Sequence, residues 1–256
     1  MQTYDLVSSA DITHQTKPIV DDLGFLVIRN FFDTQDLVPL WEDLHRLASA
    51  FCQGLCIDVE TVDPSESDRL IVNIINHRPQ LQPVLYDRLQ NVPSLLAIPS
   101  HPKVRRLAQH LLGTDRYGIW PRMQIRMDRY EDRRNLIEWH HDYLYNQGTK
   151  HSYTLWMPLV NFENAMGVLL IAKRSHKLGN VNFIKTQGPN RFDYTLSKEV
   201  VAGLDIVSPD CYRAGDLVVF HSLVLHSGTI NTLAHRARLT ALFRIQDLST
   251  LEAFVE

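Results

Sequence analysis

Trp139-His140-His141-Asp142-Tyr143-Leu144-Tyr145 is the stretch on which the reading of this chain turns. Aromatic residues stand at both ends, neither Gly nor Pro interrupts it, and a turn signal, Asn146-Gln147-Gly148, follows; the pattern predicts a strand. Side chains alternate between the faces of a strand. His140 and Asp142 therefore share a face, about 6–7 Å apart at the Cα level, while His141 turns the other way. A neutral imidazole and a carboxylate on one face are two donors of a facial metal site suited to Fe(II), with His141 outside it. A His-x-Asp pair alone describes a surface ion pair equally well, so its context decides.

That context lies near the C-terminus. Gly215-Asp216-Leu217-Val218-Val219-Phe220-His221 is a turn running into an apolar strand, and Ser222 to Gly228 is a second short run containing His226. Arg236-Ala237-Arg238-Leu239-Thr240-Ala241-Leu242-Phe243-Arg244 is another strand with basic residues at its entry. His-x-Asp, a distant His and an Arg shortly after it resemble the non-haem iron, 2-oxoglutarate-dependent dioxygenases. The blocks Trp139 to Asp142, Leu155-Trp156-Met157-Pro158-Leu159, Gly167 to Leu178 with Arg174-Ser175-His176-Lys177, and Gly215 to Asn231 stand in an order similar to that of the phytanoyl-CoA dioxygenase-like family. The resemblance is strongest from about Gly118 to Asp247.

It implies a mainly β fold with flanking helices (α+β), its core a double-stranded β-helix of the jelly-roll, cupin-like kind. It also implies Fe(II) held by His140, Asp142 and His226, with 2-oxoglutarate as co-substrate and O2 as oxidant. Decarboxylation of 2-oxoglutarate to succinate and CO2 would accompany hydroxylation of a small-molecule substrate. Related halogenases carry a small residue in place of the carboxylate ligand; Asp142 fills that position, which favours hydroxylation. The far carboxylate of 2-oxoglutarate calls for a bidentate cation, Arg rather than Lys. The family's position for that Arg falls here on Ala237, bracketed by Arg236 and Arg238, which share a strand face. Arg238 is preferred because it reads directly into the strand, a one-residue loop insertion explaining the offset. Trp156 and Arg126 match positions that line the co-substrate pocket in the family. Thr240, on the face of Arg238, and Thr229, near His226, offer hydroxyls. His221 and His176 are read as decoys and His141 as a neighbour of the site, not a ligand.

Composition sets the outer bounds. The 256 residues are 45% hydrophobic, enough for one domain with a sizeable core. Basic and acidic residues nearly balance, 26 against 29, so no whole-chain field points to nucleic acid or an anionic membrane. The N-terminus lacks the pattern of a signal peptide, and no apolar run reaches the roughly 18 residues that a spanning helix needs. Cys52, Cys56 and Cys211 make no disulfide framework and suit a reducing compartment. A cytoplasmic enzyme acting on a small molecule is the expectation.

Along the chain, 1–116 is expected to be mostly helical with a first strand at Gly24 to Arg29, and 117–247 to be the β core, all in one domain. The segment 179–210 reads as an insertion with few continuous apolar runs, a candidate lid with Gly179, Gly188 and Gly203 as hinges. Arg122, Arg126, Arg129, Arg133 and Arg134, interleaved with acids, read as a self-paired charged loop. Two other readings stand beside the hydroxylase. One is a catalytically silent relative of the same fold that binds a small molecule. The other is a cupin-type metal enzyme without co-substrate, which an Arg after His226 argues against.

Overall fold

The computed structural model describes residues 7–8, 15–58, 61–119, 124–133, 136–146, 148–185, 194–209 and 212–249. Helices dominate the first part: α1 (Thr16–Leu23), α2 (Thr34–Gly54), α3 (Asp68–His77), α4 (Gln82–Leu89), α5 (Pro93–Ala97) and α6 (Pro102–Leu112). Local chemistry sets their ends. Asp33 and Asp36 close a reciprocal capping box at the start of α2, which then buries Leu37, Leu40, Leu44, Ala48 and Cys52 along one face. Prolines separate α3 from α4 and open α5 and α6, as a residue without an N–H must.

The strands in chain order are β1 (Val7–Ser8), β2 (Phe25–Arg29), β3 (Tyr117–Ile119), β4 (Gln124–Asp128), β5 (Tyr153–Pro158), β6 (Leu169–Ala172), β7 (Ile184–Lys185), β8 (Tyr194–Thr195), β9 (Ile206–Val207), β10 (Leu217–His221), β11 (His226–Gly228) and β12 (Arg238–Asp247). A seven-stranded sheet runs β1-β2-β10-β5-β12-β3, with β4 also paired to β12; a three-stranded sheet runs β11-β6-β9. The sheets and flanking helices agree with the mixed architecture expected from the sequence.

Register assigns the faces of the large sheet. Arg244 lies opposite Thr154, Leu242 opposite Trp156 and Thr240 opposite Pro158; across β4, Arg238 faces Asp128 and Thr240 faces Arg126. Directly paired residues share a face, so these polar groups line one side. The alternate residues Leu239, Ala241, Phe243, Leu155 and Met157 belong to the apolar core, which includes Leu40, Leu44, Ile71 and Ile74 of the helices.

Two sequence expectations change here. The stretch Trp139 to Tyr145 is not a strand. His140 makes a single antiparallel bridge to His226, with N–H···O distances of 3.0 and 2.8 Å, and the chain then turns into a 3-10 helix over Asp142–Leu144. The cause is His141, whose Nδ1 accepts the Leu144 N–H at 3.1 Å and ends the extended run. The described residues of the insertion, 179–185 and 194–209, also carry more regular structure than its composition suggested; the rest of the expected lid lies outside the described residues. The described part forms the β7–β8 hairpin and α7 (Lys198–Ala202), and β9 joins the small sheet. Gly188 and Cys211, like Arg122, Arg134 and Gln147, lie outside the described residues.

The two candidate arginines separate cleanly. Arg236 is tied to α3: its Nε reaches Asp68 Oδ2 at 2.6 Å, and the Ala237 N–H donates to the same carboxylate at 3.2 Å. Asp68 is fully buried; burial raises its pKa and Arg236 opposes that rise. Arg236→Ala leaves a buried carboxylate without its cation and should lower unfolding free energy by about 3 kcal/mol, read by denaturant titration. A stability unchanged within about 0.5 kcal/mol would show that the pair is worth no more than a surface one.

Candidate metal centre

His140, Asp142 and His226 converge. One donor atom from each lies within 4.8 Å of the others, and all three residues are buried. Among the described residues no other group of His, Cys, Asp and Glu does this. The small sheet supplies the two imidazoles: His226 is on β11 and His140 on the bridge beside it, their ring centroids 4.2 Å apart. Asp142, one turn further, reaches across to the large sheet.

The protonation states suit metal binding. Nδ1 of His140 sits 2.6 Å from the Glu138 carbonyl and Nδ1 of His226 sits 3.0 Å from that of Val224. A ring nitrogen facing a carbonyl carries the proton, which leaves each Nε2 lone pair free. Burial, reinforced by the neighbouring His226, pushes the His140 pKa well down; burial also lowers that of His226, against the pull of Asp142. Both rings are then neutral near pH 7. Burial alone would raise the Asp142 pKa, but above all the Arg244 guanidinium holds it below the usual carboxylate range. Two neutral imidazoles and one carboxylate are the donor set of a facial Fe(II) site.

Arg238, on the same sheet face, is buried and donates from Nε and Nη2 to Asp128 Oδ2 at 3.1 and 2.8 Å. Its Nη1 is buried without a partner, and so is the Thr240 hydroxyl two residues on. Gly167, at φ 84°, keeps space beside that guanidinium: a Cβ there would stand 3.0 Å from Nη1 and collide with the Thr229 carbonyl oxygen. Arg126, opposite Thr240, reaches Asp128 Oδ1 at 3.3 Å. Trp156 shares the face but is buried edge-on against Phe162 and Tyr212. The Thr229 hydroxyl accepts the Val168 N–H at 2.8 Å and so has a structural task.

The other histidines stay outside the cluster. His221 ends β10, accepts the Leu223 N–H, and has its pKa lowered to about 4 by burial and by His176 and His151. His176 sits 3.0 Å from the Asp21 carbonyl. His141 is fully buried, with Nδ1 on Leu144 and Nε2 3.1 Å from Asn180 Oδ1, so it ties the ligand turn to the start of the insertion. His141→Ala should retain iron stoichiometry and substantial turnover while losing about 1–3 kcal/mol of stability, from two buried hydrogen bonds. Loss of iron equal to that of His140→Ala would make His141 a ligand.

A model of the family described as phytanoyl-CoA dioxygenase (PhyH) matches residues 20–238. The chain belongs to that family. It is an Fe(II)/2-oxoglutarate-dependent dioxygenase, and iron and 2-oxoglutarate are its cofactor and co-substrate. Solved structures of similar fold agree. The epimerase SnoN in complex with Fe3+, alpha ketoglutarate and nogalamycin RO is 16% identical, with a TM-score of 0.61 over 91% of this chain and 82% of that one. EctD from S. alaskensis with bound Fe is 15% identical, with a TM-score of 0.62 over 93% and 78%. The carbocyclase SnoK from nogalamycin biosynthesis is 13% identical, with a TM-score of 0.60 over 95% and 88%. No curated protein matches the chain. No helix among the described residues is long and apolar enough to cross a membrane.

Three residues at this dioxygenase's site escaped sequence reading. Arg244 donates to Asp142 Oδ1 at 2.7 Å, the Thr154 hydroxyl donates to Asp142 Oδ2, and Asp128 holds Arg238. A signal for Arg244 existed: it has the parity of Arg238 and Thr240 on β12, and a buried Arg requires an anion.

Proposed function

We propose that this dioxygenase hydroxylates a small organic molecule, with His140, Asp142 and His226 as the iron ligands and Arg238 and Thr240 as the partners of the far carboxylate of 2-oxoglutarate. One observation carries the reading: a buried two-His, one-carboxylate cluster meets, through Asp142 and Arg244, the sheet face that carries a buried guanidinium N–H and a hydroxyl without a partner. Unsatisfied buried donors are rare, and an anionic ligand at this place satisfies both. When bound, the iron couples the decarboxylation of 2-oxoglutarate by O2 to oxidation of a C–H bond. The protein's own residues position the co-substrate and keep water out. Arg126 adds positive charge near the histidines, lowering the pKa of both.

The insertion supports a small-molecule pocket. Phe183 packs edge-on against His141 at 4.9 Å, Tyr194 lies 6.3 Å from Tyr145, and Tyr145 lies 5.6 Å from His140. The mouth beside the ligand turn is thus aromatic, and the 179–210 segment supplies part of it. SnoN and EctD are described with nogalamycin RO and 5-hydroxyectoine bound. The aromatic contacts between the insertion and the ligand turn are where we place the choice of substrate. Limited proteolysis between Asn180 and Val201 should be fast in the apo protein and slowed by iron, 2-oxoglutarate and substrate together. Equal resistance in every state would make the segment a fixed wall. The function itself is tested by anaerobic titration with Fe(II) and 2-oxoglutarate, where a visible charge-transfer band reports the chelate, followed by a succinate-release screen over compound classes. A band without succinate release from any class would favour a silent binding protein.

A further inference from the structure

Asp142 is held at both oxygens before any metal arrives. Oδ2 accepts the Thr154 hydroxyl from β5, and Oδ1 accepts Arg244 Nη2 from β12 at 2.7 Å, while His226 Nε2 stands 3.8 Å from the same Oδ1. Thr154 and Arg244 are directly paired in the sheet, so one register sets both contacts. A guanidinium presents Nε–H and Nη2–H side by side, pointing the same way. Arg238 uses that pair fully, both N–H groups on Asp128 Oδ2. Arg244 uses half of it. Its Nε is buried and has no partner, although the adjacent Nη2 lies on a carboxylate of the ligand cluster. The second carboxylate oxygen takes the Thr154 hydroxyl and not this N–H.

We propose that Arg244 is the positioning residue of this iron site: with Thr154 it holds Asp142 in the orientation in which it meets the metal, and its Nε–H donates to an oxygen of the co-substrate carboxylate bound at the metal. The inference rests on the functional reading above. With a donor on each oxygen, one from β5 and one from β12, the Asp142 carboxylate is held in one rotation. Arg238 and Arg244 stand six residues apart on one face of β12. The strand thus offers the two carboxylates of 2-oxoglutarate one guanidinium each.

The experiment compares Arg244→Lys, which keeps the charge and loses the paired N–H geometry, with Thr154→Val and Thr154→Ser. Three readouts are taken on each: anaerobic Fe(II) affinity without co-substrate, the energy of the Fe(II)–2-oxoglutarate charge-transfer band, and thermal stability of the apoprotein. We expect Arg244→Lys to weaken Fe(II) binding by about tenfold, as loss of a hydrogen-bond partner to a metal ligand does, and to move the band. Thr154→Val should do the same to a smaller degree, and Thr154→Ser should restore both. Should Arg244→Lys fail to fold, the valine and serine pair decides alone. Unchanged affinity and an unmoved band in both variants would overturn the proposal, and so would a loss of stability with no spectral change. If the wild-type protein itself shows no band, the reading of the site fails instead.

Discussion

His226→Ala is expected to remain folded and to lose iron. The ring takes with it its Val224 hydrogen bond and its packing on His140 and Phe220, but the bridge to His140 and the β11–β6 pairing are made by main-chain groups and stay. Asp142 keeps Thr154 and Arg244, so no charge is stranded. Two donors then remain where three were present. Loss of an outer hydrogen-bond partner of a metal ligand costs about 10–100-fold in affinity, and loss of the ligand itself should exceed the upper figure. The same holds for His140→Ala. Thermal denaturation with and without Fe(II) reads both parts at once. The wild-type protein should gain stability with metal because the ion favours the folded state, whereas the variants should melt somewhat below the wild-type apo protein, for the packing they lose, and gain nothing from Fe(II). A variant that still gains stability from Fe(II) at wild-type concentrations would remove His226 from the ligand set.

What the sequence made legible, and what it did not, divides along physical lines. Helix starts and stops depend on neighbours in the chain: Asp33 with Asp36 at α2, Pro102 and Gly113 at the ends of α6. The strands β5 and β10 were readable as largely apolar runs with both faces buried, and β12 as a strand with basic residues at its entry. The ligand turn was misread as a strand because bulky aromatics suit strands, while the feature that breaks it, a side-chain hydrogen bond from Leu144 to His141, follows no periodicity. His140 and Asp142 were still rightly placed together, since a bridge followed by a 3-10 turn also brings residues i and i+2 to one side. Arg244 and Thr154 act across a sheet at a register that only pairing reveals, and Asp128 lies 110 residues from Arg238. The ambiguity between Arg236 and Arg238 could not be settled by parity, because both have the same parity. Burial and partners separate them.

That separation gives the second large expected effect. Arg238→Ala should raise the 2-oxoglutarate concentration needed for half-saturation by a factor of ~10²–10³, because a buried carboxylate that loses its guanidinium forfeits about 3–5 kcal/mol. Thr240→Val, which removes a neutral donor, should cost about 1 kcal/mol, near fivefold. Arg238→Ala also deprives Asp128 of its main cation. Burial raises the pKa of that carboxyl and Arg238, then Arg126, lowers it, so the variant should lose stability as well as affinity. The two effects are separable. Asp128→Asn removes the buried negative charge while keeping Arg238, and combined with Arg238→Ala it should recover stability without recovering 2-oxoglutarate affinity. Arg236→Ala supplies the opposite control. It faces Asp68 on α3, away from the unpartnered Nη1 of Arg238, and should lower stability while leaving half-saturation within about twofold, a change smaller than one neutral hydrogen bond. The charge-transfer titration measures binding directly, without turnover. If Arg236→Ala shifted that titration and Arg238→Ala did not, the co-substrate would lie on the α3 side of the β12 entry, and the vacancy at Nη1 and Thr240 would need another ligand.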